Sequence, residues 1–140
     1  MWRGDQLGFR CERRRRAAGS GCQGSLPVSA ADTAGAFSLL LSHFPTGDHV
    51  PRHVHDTVDE SFYILDGQYR IQCGEQAWSA AAGDFVFLPR GVPHSYDVVH
   101  GPARKLIIAV PGGIEDFFDD LVNGVDPATI THRHGVRFLD

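Results

Sequence analysis

Turn signals recur every 8–12 residues through the middle of this 140-residue chain, and that cadence restricts the fold more than any other feature. Between them lie short apolar or alternating runs at Phe37–Leu41, Glu60–Leu65, Gln68–Cys73, Gln76–Ala80, Phe85–Leu88, His94–Val99 and Arg104–Val110. The separators include Asp66-Gly67, Gly74-Glu75, Gly83-Asp84, Pro89-Arg90-Gly91 and Gly101-Pro102. Strands this short and this evenly punctuated predict an antiparallel sandwich or barrel. Asp66-Gly67 and Gly83-Asp84 read as hairpin turns. The period then changes: Ile114, Phe117, Phe118, Leu121 and Val122 fall at helical spacing, with Glu115 and Asp116 in the first turn and Gly124 as a stop.

Length allows one domain with one core. The organised part is expected over residues 33–124, with a tail at 125–140 and an unpacked basic segment at 1–32. Residues 1–16 hold six arginines against Asp5 and Glu12, a balance of +4; the rest carries 7 basic and 15 acidic groups, or −8. No aromatic interleaving or helix-turn-helix pattern accompanies the arginines, so they read as solvated charge and not as a nucleic-acid surface. No run reaches the roughly 18 apolar residues of a membrane helix, and the start lacks a signal peptide's apolar segment. A cytoplasmic protein with no membrane partner is expected. Cys11, Cys22 and Cys73 are odd in number and form no CxxC, which argues against a disulfide framework and a cysteine zinc site.

Eight histidines are present, and three belong to a pattern. His53 and His55 are two apart, so on a strand both rings project from one face. Glu60 follows as a candidate carboxylate ligand, and His94 returns after a tight turn. Three imidazole nitrogens and one carboxylate oxygen suit one divalent transition metal ion (Fe, Mn, Ni, Cu, Co or Zn) and suit calcium or magnesium poorly. Each histidine alone is more commonly a hydrogen-bonded structural residue. The spacing of glycine and proline around the set is what favours a metal.

That spacing resembles the cupin family. GDHVPRHVHDTVDESFYILDG, residues 47–67, fits G-x5-H-x-H-x4-E-x6-G without a gap. GDFVFLPRGVPH, residues 83–94, fits the second motif, G-x5-P-x-G-x2-H; the asparagine that closes the family pattern is missing, and it is not a metal ligand there. The resemblance implies an all-β fold, a small antiparallel β-barrel or jelly roll with a short C-terminal helix. It implies one metal held by His53, His55, Glu60 and His94.

Cupins include dioxygenases, isomerases, decarboxylases, cyclases and non-catalytic binders, so the fold leaves function open. Phe62 and Ile64 share parity with Glu60, and Tyr96 with His94; they line the ion's surroundings or simply fill the core. The Tyr96 hydroxyl is a candidate donor to a substrate oxygen, and His49 a candidate inward-facing residue. ESFYILDG and the helix PGGIEDFFDDL resemble small cupins similar to quercetin dioxygenases. That implies oxygen insertion into a flavonol-like small molecule, with Glu60 as ligand and proton acceptor. The alternatives are a polyketide cyclase or other non-oxidative metal-dependent enzyme, and a non-catalytic protein that binds a metal or small molecule. Finally, Phe85–Leu88 and Leu106–Val110 are apolar on both parities. Their outer face needs cover, by the Ile114–Val122 helix or by a partner subunit; one helix covers about one strand pair, so a homodimer is expected.

Overall fold

A computed structural model describes residues 15–18 and 23–139. About 55% is strand, and every strand pairing is antiparallel. The elements are β1 (Arg15–Ala18), β2 (Gln23–Val28), a 3₁₀ turn (Ala30–Thr33), β3 (Ser38–Phe44), β4 (His49–His55), β5 (Asp59–Cys73), β6 (Gln76–Ala81), β7 (Phe85–Leu88), β8 (His94–Val110), α1 (Ile114–Val122), α2 (Pro127–His134) and β9 (Val136–Phe138).

Two long strands organise everything else. Residues 59–66 of β5 lie on residues 104–110 of β8, flanked by β7 on one side and by β3, β2 and β1 on the other. Residues 68–73 of β5 lie on residues 94–100 of β8, flanked by β6 and by β4 and β9. These are two layers of one jelly roll, continuous through β5 and β8 and not closed into a barrel by hydrogen bonds among the described residues. Inward positions alternate with outward ones, so Phe62, Ile64, Tyr69, Ile71, Val86, Leu88, Ile107 and Ala109 meet between the layers.

The crossing between layers corrects two expectations. Asp66-Gly67 is not a hairpin, because β5 runs straight through it with register shifts at Ile64/Asp66, Asp66/Gln68 and Gln68/Tyr69. Gly67 has φ +80°, and a Cβ there would lie 2.6 Å from both Ala103 Cβ and the His100 carbonyl oxygen. Positive φ serves a β-bulge as well as a hairpin turn, and the local sequence does not distinguish them. Opposite it, Gly101-Pro102 bends β8 without ending it. Gly83-Asp84 is likewise no hairpin. β6 and β7 both pair with β5, and this turn carries the chain from one layer to the other, tied to Ile64 by bonds of 2.9 and 3.0 Å.

The ends are more structured than composition suggests. Of the segment 1–32, residues 15–18 and 23–28 add strands beyond β3 and Leu26 is buried; residues 1–14 and 19–22, with four of the six arginines, lie outside the described residues. Helix α1 has the expected bounds and is pinned by Glu115, which accepts from Ser38 Oγ (2.6 Å) and Ala30 N (2.7 Å). The expected tail instead forms α2, capped by Asp126 with Pro127 in its first turn and Gly135 at its end, and then β9 on the edge of β4. No described helix is long and apolar enough to cross a membrane.

Candidate metal centre

Alternation on β4 turns His53 and His55 to the same inner face. Register then sets His53 opposite His94, the first residue of β8. The turn before His94 is held in place by Gly91, whose N–H donates to the His55 carbonyl at 2.8 Å. Glu60 comes from the other layer, on β5, and meets the three rings across the interior.

All four side chains are buried, with residue exposures of 5% or less. Their ligand atoms lie within 4.8 Å of one another. Glu60 Oε2 is 3.1 Å from His55 Nε2 and 3.5 Å from His94 Nε2. Two adjacent ligands at about 2.1 Å from one ion would be about 3 Å apart, and these separations are of that size. The His53 ring lies 5.1 Å from that of His55 and 4.4 Å from that of His94.

Hydrogen bonding orients the rings. His53 Nδ1 donates to the Pro51 carbonyl (2.8 Å) and His94 Nδ1 approaches the Val92 carbonyl (3.3 Å), which leaves Nε2 of each for the centre. Burial, then the neighbouring His94, pushes the His53 pKa down to about 4, so this ring is neutral, the form that ligates metal. Burial alone would raise Glu60. The His55 and His94 rings outweigh it and hold the carboxyl well below its usual range. Glu60 Oε2 and His94 Nε2 nevertheless lack a hydrogen-bond partner of good geometry. Burying such atoms unsatisfied costs roughly 1–3 kcal/mol each, and a cation between them removes that cost. The residues fit a transition metal.

Other expected residues fall into place around this set. Phe62 and Ile64 are fully buried core. Tyr96 is 6% exposed, its ring edge-on to Phe62 (5.3 Å), Tyr69 (5.9 Å) and Phe44 (6.1 Å). His49 does not face inward: it is exposed on β4 opposite Asp97, because a register shift between Val50 and His53 breaks the alternation. Two features escaped the sequence reading. Phe138 of β9 and Phe117 of α1 stand beside His53 (5.9 Å) and His55 (6.0 Å). Lys105, the one lysine of the chain, is wholly buried, its Nζ 4.1–4.8 Å from the ring centroids of Tyr96, Phe44, Phe62 and Tyr69.

Residues 40–110 match the family model described as a cupin domain. The chain is a cupin. This cupin is 33% identical over 90 residues to a quercetin 2,3-dioxygenase of Bacillus subtilis (strain 168), covering 64% of this chain and 27% of that protein. It is 31% identical over 104 residues to a quercetin 2,3-dioxygenase of Aspergillus japonicus, covering 69% of this chain and 29% of the relative. The cupin thus spans less than a third of either relative. Among solved structures it resembles KdgF from Halomonas sp. (TM-score 0.64, 14% identity, 71% of this chain and 88% of that one). It also resembles Bacillus subtilis oxalate decarboxylase (TM-score 0.66, 16% identity, 89% of this chain and 35% of that one). At these identities the structures speak for the fold alone.

Proposed function

We propose that this cupin binds one divalent, redox-active transition metal ion through His53, His55, Glu60 and His94, and acts as a dioxygenase of quercetinase type on an aromatic or flavonol-like small molecule. The observation that carries the metal is the pair of buried, unsatisfied atoms, Glu60 Oε2 and His94 Nε2, facing each other across the interior. Similarity to two quercetin 2,3-dioxygenases supports the reaction class.

When bound, the ion would polarise a substrate's adjacent oxygens and exchange electrons with dioxygen, which zinc cannot do. The chain's own part is positioning and proton transfer. Glu60 is the single anionic member of the set, so its second oxygen is the natural acceptor for a proton from a substrate hydroxyl. Phe62 and Tyr96, on the strands that carry Glu60 and His94, pack edge-on around the buried Lys105, whereas Phe117 and Phe138, beside the His55 and His53 rings, give the set an apolar border that suits a flat substrate. A Tyr96 hydroxyl donor role is tested by Tyr96→Phe.

The deciding experiment is elemental analysis of protein purified without added metal. Oxygen uptake with a flavonol is then measured after loading with iron, manganese, copper, nickel or zinc. One redox-active ion per chain and flavonol-dependent oxygen uptake are expected. Absence of stoichiometric metal after loading overturns the centre. Turnover that proceeds equally with zinc overturns the oxidative chemistry in favour of carbonyl polarisation alone.

A further inference from the structure

The four candidate ligands sit behind walls of unequal strength. Glu60 lies on β5, paired on both sides, opposite Leu88 of β7 and Ala109 of β8. His94 lies on β8 between β4 and β5, opposite His53 and Cys73. His53 and His55 lie on β4, whose outer neighbour is β9, three residues long, with Phe138 opposite His53 and Val136 opposite His55. Of residues 127–139 only Ile130 and Val136 are buried, so α2 and β9 have a small apolar hold on the rest of the chain. Polar contacts supply the rest. Asp56 N donates to the Gly135 carbonyl and Leu139 N to the Arg52 carbonyl, both at 2.8 Å. Asp120 of α1 accepts from two residues of α2 through one oxygen, Oδ2, which is 2.7 Å from His134 Nε2 and 3.2 Å from Arg133 Nη1. The His134 ring also packs on Phe117 (6.0 Å), which lies 6.4 Å from Phe138 and 6.0 Å from His55.

We propose that α2 and β9 form a hinged cover over the His53 and His55 side of the centre, that ion and substrate enter beneath β9, and that Asp120 is the positioning residue that latches the cover shut. A strand with one short partner opens at lower free energy than strands paired along both sides. Residues 123–126 join the two helices, none of them buried, and Gly124 among them has φ +70°, which makes this the hinge. Opening there carries Phe138 away from His53, while Phe117, buried on α1, keeps its place beside His55. Phe138 is 41% exposed although it stands beside a ligand, so solvent already touches the outer side of the cover. Asp120 acts through α2 and not on the ion. His134, and after it Arg133, hold the Asp120 carboxyl below the usual carboxylate range, so it stays an anion facing both. This entrance rests on the metal centre proposed above, yet the cover opens in the metal-free chain as well, so the two readings fail separately.

The test labels histidines of the metal-free full chain with diethyl pyrocarbonate. Initial rates are read residue by residue by mass spectrometry, and amide hydrogen exchange is followed alongside. The exposed His43, His49 and His132 serve as internal standards. In the wild type, residues 127–139 should exchange at least tenfold faster than β5 and β8, a result that needs no variant. Asp120→Ala should speed that exchange, and the labelling of His53 and His55, about five- to tenfold, between the worth of an exposed ion pair and that of a hydrogen bond to a charged group. Asp120→Asn, which keeps one acceptor, should fall between Asp120→Ala and wild type. Asp66→Asn breaks a different exposed ion pair, with Arg104, and should change neither rate. In metal-loaded protein, release to a chelator should follow the same order. Exchange of residues 127–139 at the pace of β5 and β8 overturns the cover. Labelling of His53 and His55 that ignores Asp120, or that rises equally in Asp66→Asn, overturns it too. Labelling that follows Asp120 in a chain that never takes up metal upholds the cover and removes the metal reading alone.

Discussion

Replacing Gly67 by alanine tests whether the two layers are joined by a tight bend. The perturbation has two parts. An L residue at φ +80° costs about 1–2 kcal/mol. The new Cβ also falls 2.6 Å from the His100 carbonyl oxygen and 2.6 and 2.8 Å from Ala103 Cβ and Cα. Carbon contacts settle near 3.5–4.0 Å, and these neighbours are backbone or directly attached to it, so β5 and β8 must part; overpacking of this kind adds about 1–3 kcal/mol. The sum, roughly 2–5 kcal/mol, is a large share of the 5–15 kcal/mol that domains have. Gly83→Ala is the control: φ is +90° and nothing lies within 4 Å, so only the backbone part applies. Equilibrium urea unfolding should show Gly67→Ala less stable than Gly83→Ala by about 1–3 kcal/mol with the same m-value. Metal affinity should fall in Gly67→Ala alone, because Glu60 and the histidines lie in different layers. Equal destabilisation in the two variants would refute the bend.

Three further outcomes are expected. In metal-free protein, native His53 resists protonation until about pH 4 while the unfolded chain takes up the proton near 6.5; stability is therefore full above 6.5 and falls as pH drops towards 4, by about 3 kcal/mol, and a flat urea midpoint between pH 7.5 and 4.5 would contradict this. Glu60→Gln removes the single anionic ligand, so metal affinity should drop by roughly tenfold or more, and rate per bound metal by about 10²–10⁴ if Glu60 also takes the proton; competition with a chromogenic chelator and metal-normalised oxygen uptake measure the two. Ending the chain at His134 removes Val136, 1% exposed, and Phe138 beside His53; this should cost about 1.5–3 kcal/mol in urea unfolding and speed metal release to a chelator.

The clustering of His53, His55, Glu60 and His94 was legible because a spacing of two on a strand is itself geometry, and because the turn at Pro89 to Gly91 announces where His94 returns. Gly67 was legible as a residue at positive φ but not as a bulge: that choice depends on β8, which lies some thirty residues away. β9 was hidden by its length, since three residues carry no period and its partner β4 precedes it by about eighty positions. Lys105 shares parity with Ala103, Ile107 and Ala109, all buried, yet a lysine in a strand ordinarily faces water. What encloses it are rings from β3, β5 and β8, which no local window contains.

That enclosed lysine makes the molecule its own unfolding reporter. Acylating reagents need a solvent-facing amine, and the folded chain offers none on a side chain, because its single ε-amine is 0% exposed. Each acyl group found on Lys105 by mass spectrometry therefore counts one opening of the sandwich, without a dye or an engineered label. The same enclosure sets a handling rule. Amine-directed surfaces and cross-linkers that take hold of this side chain trap the protein unfolded, so carboxylate chemistry is the route to immobilising it intact.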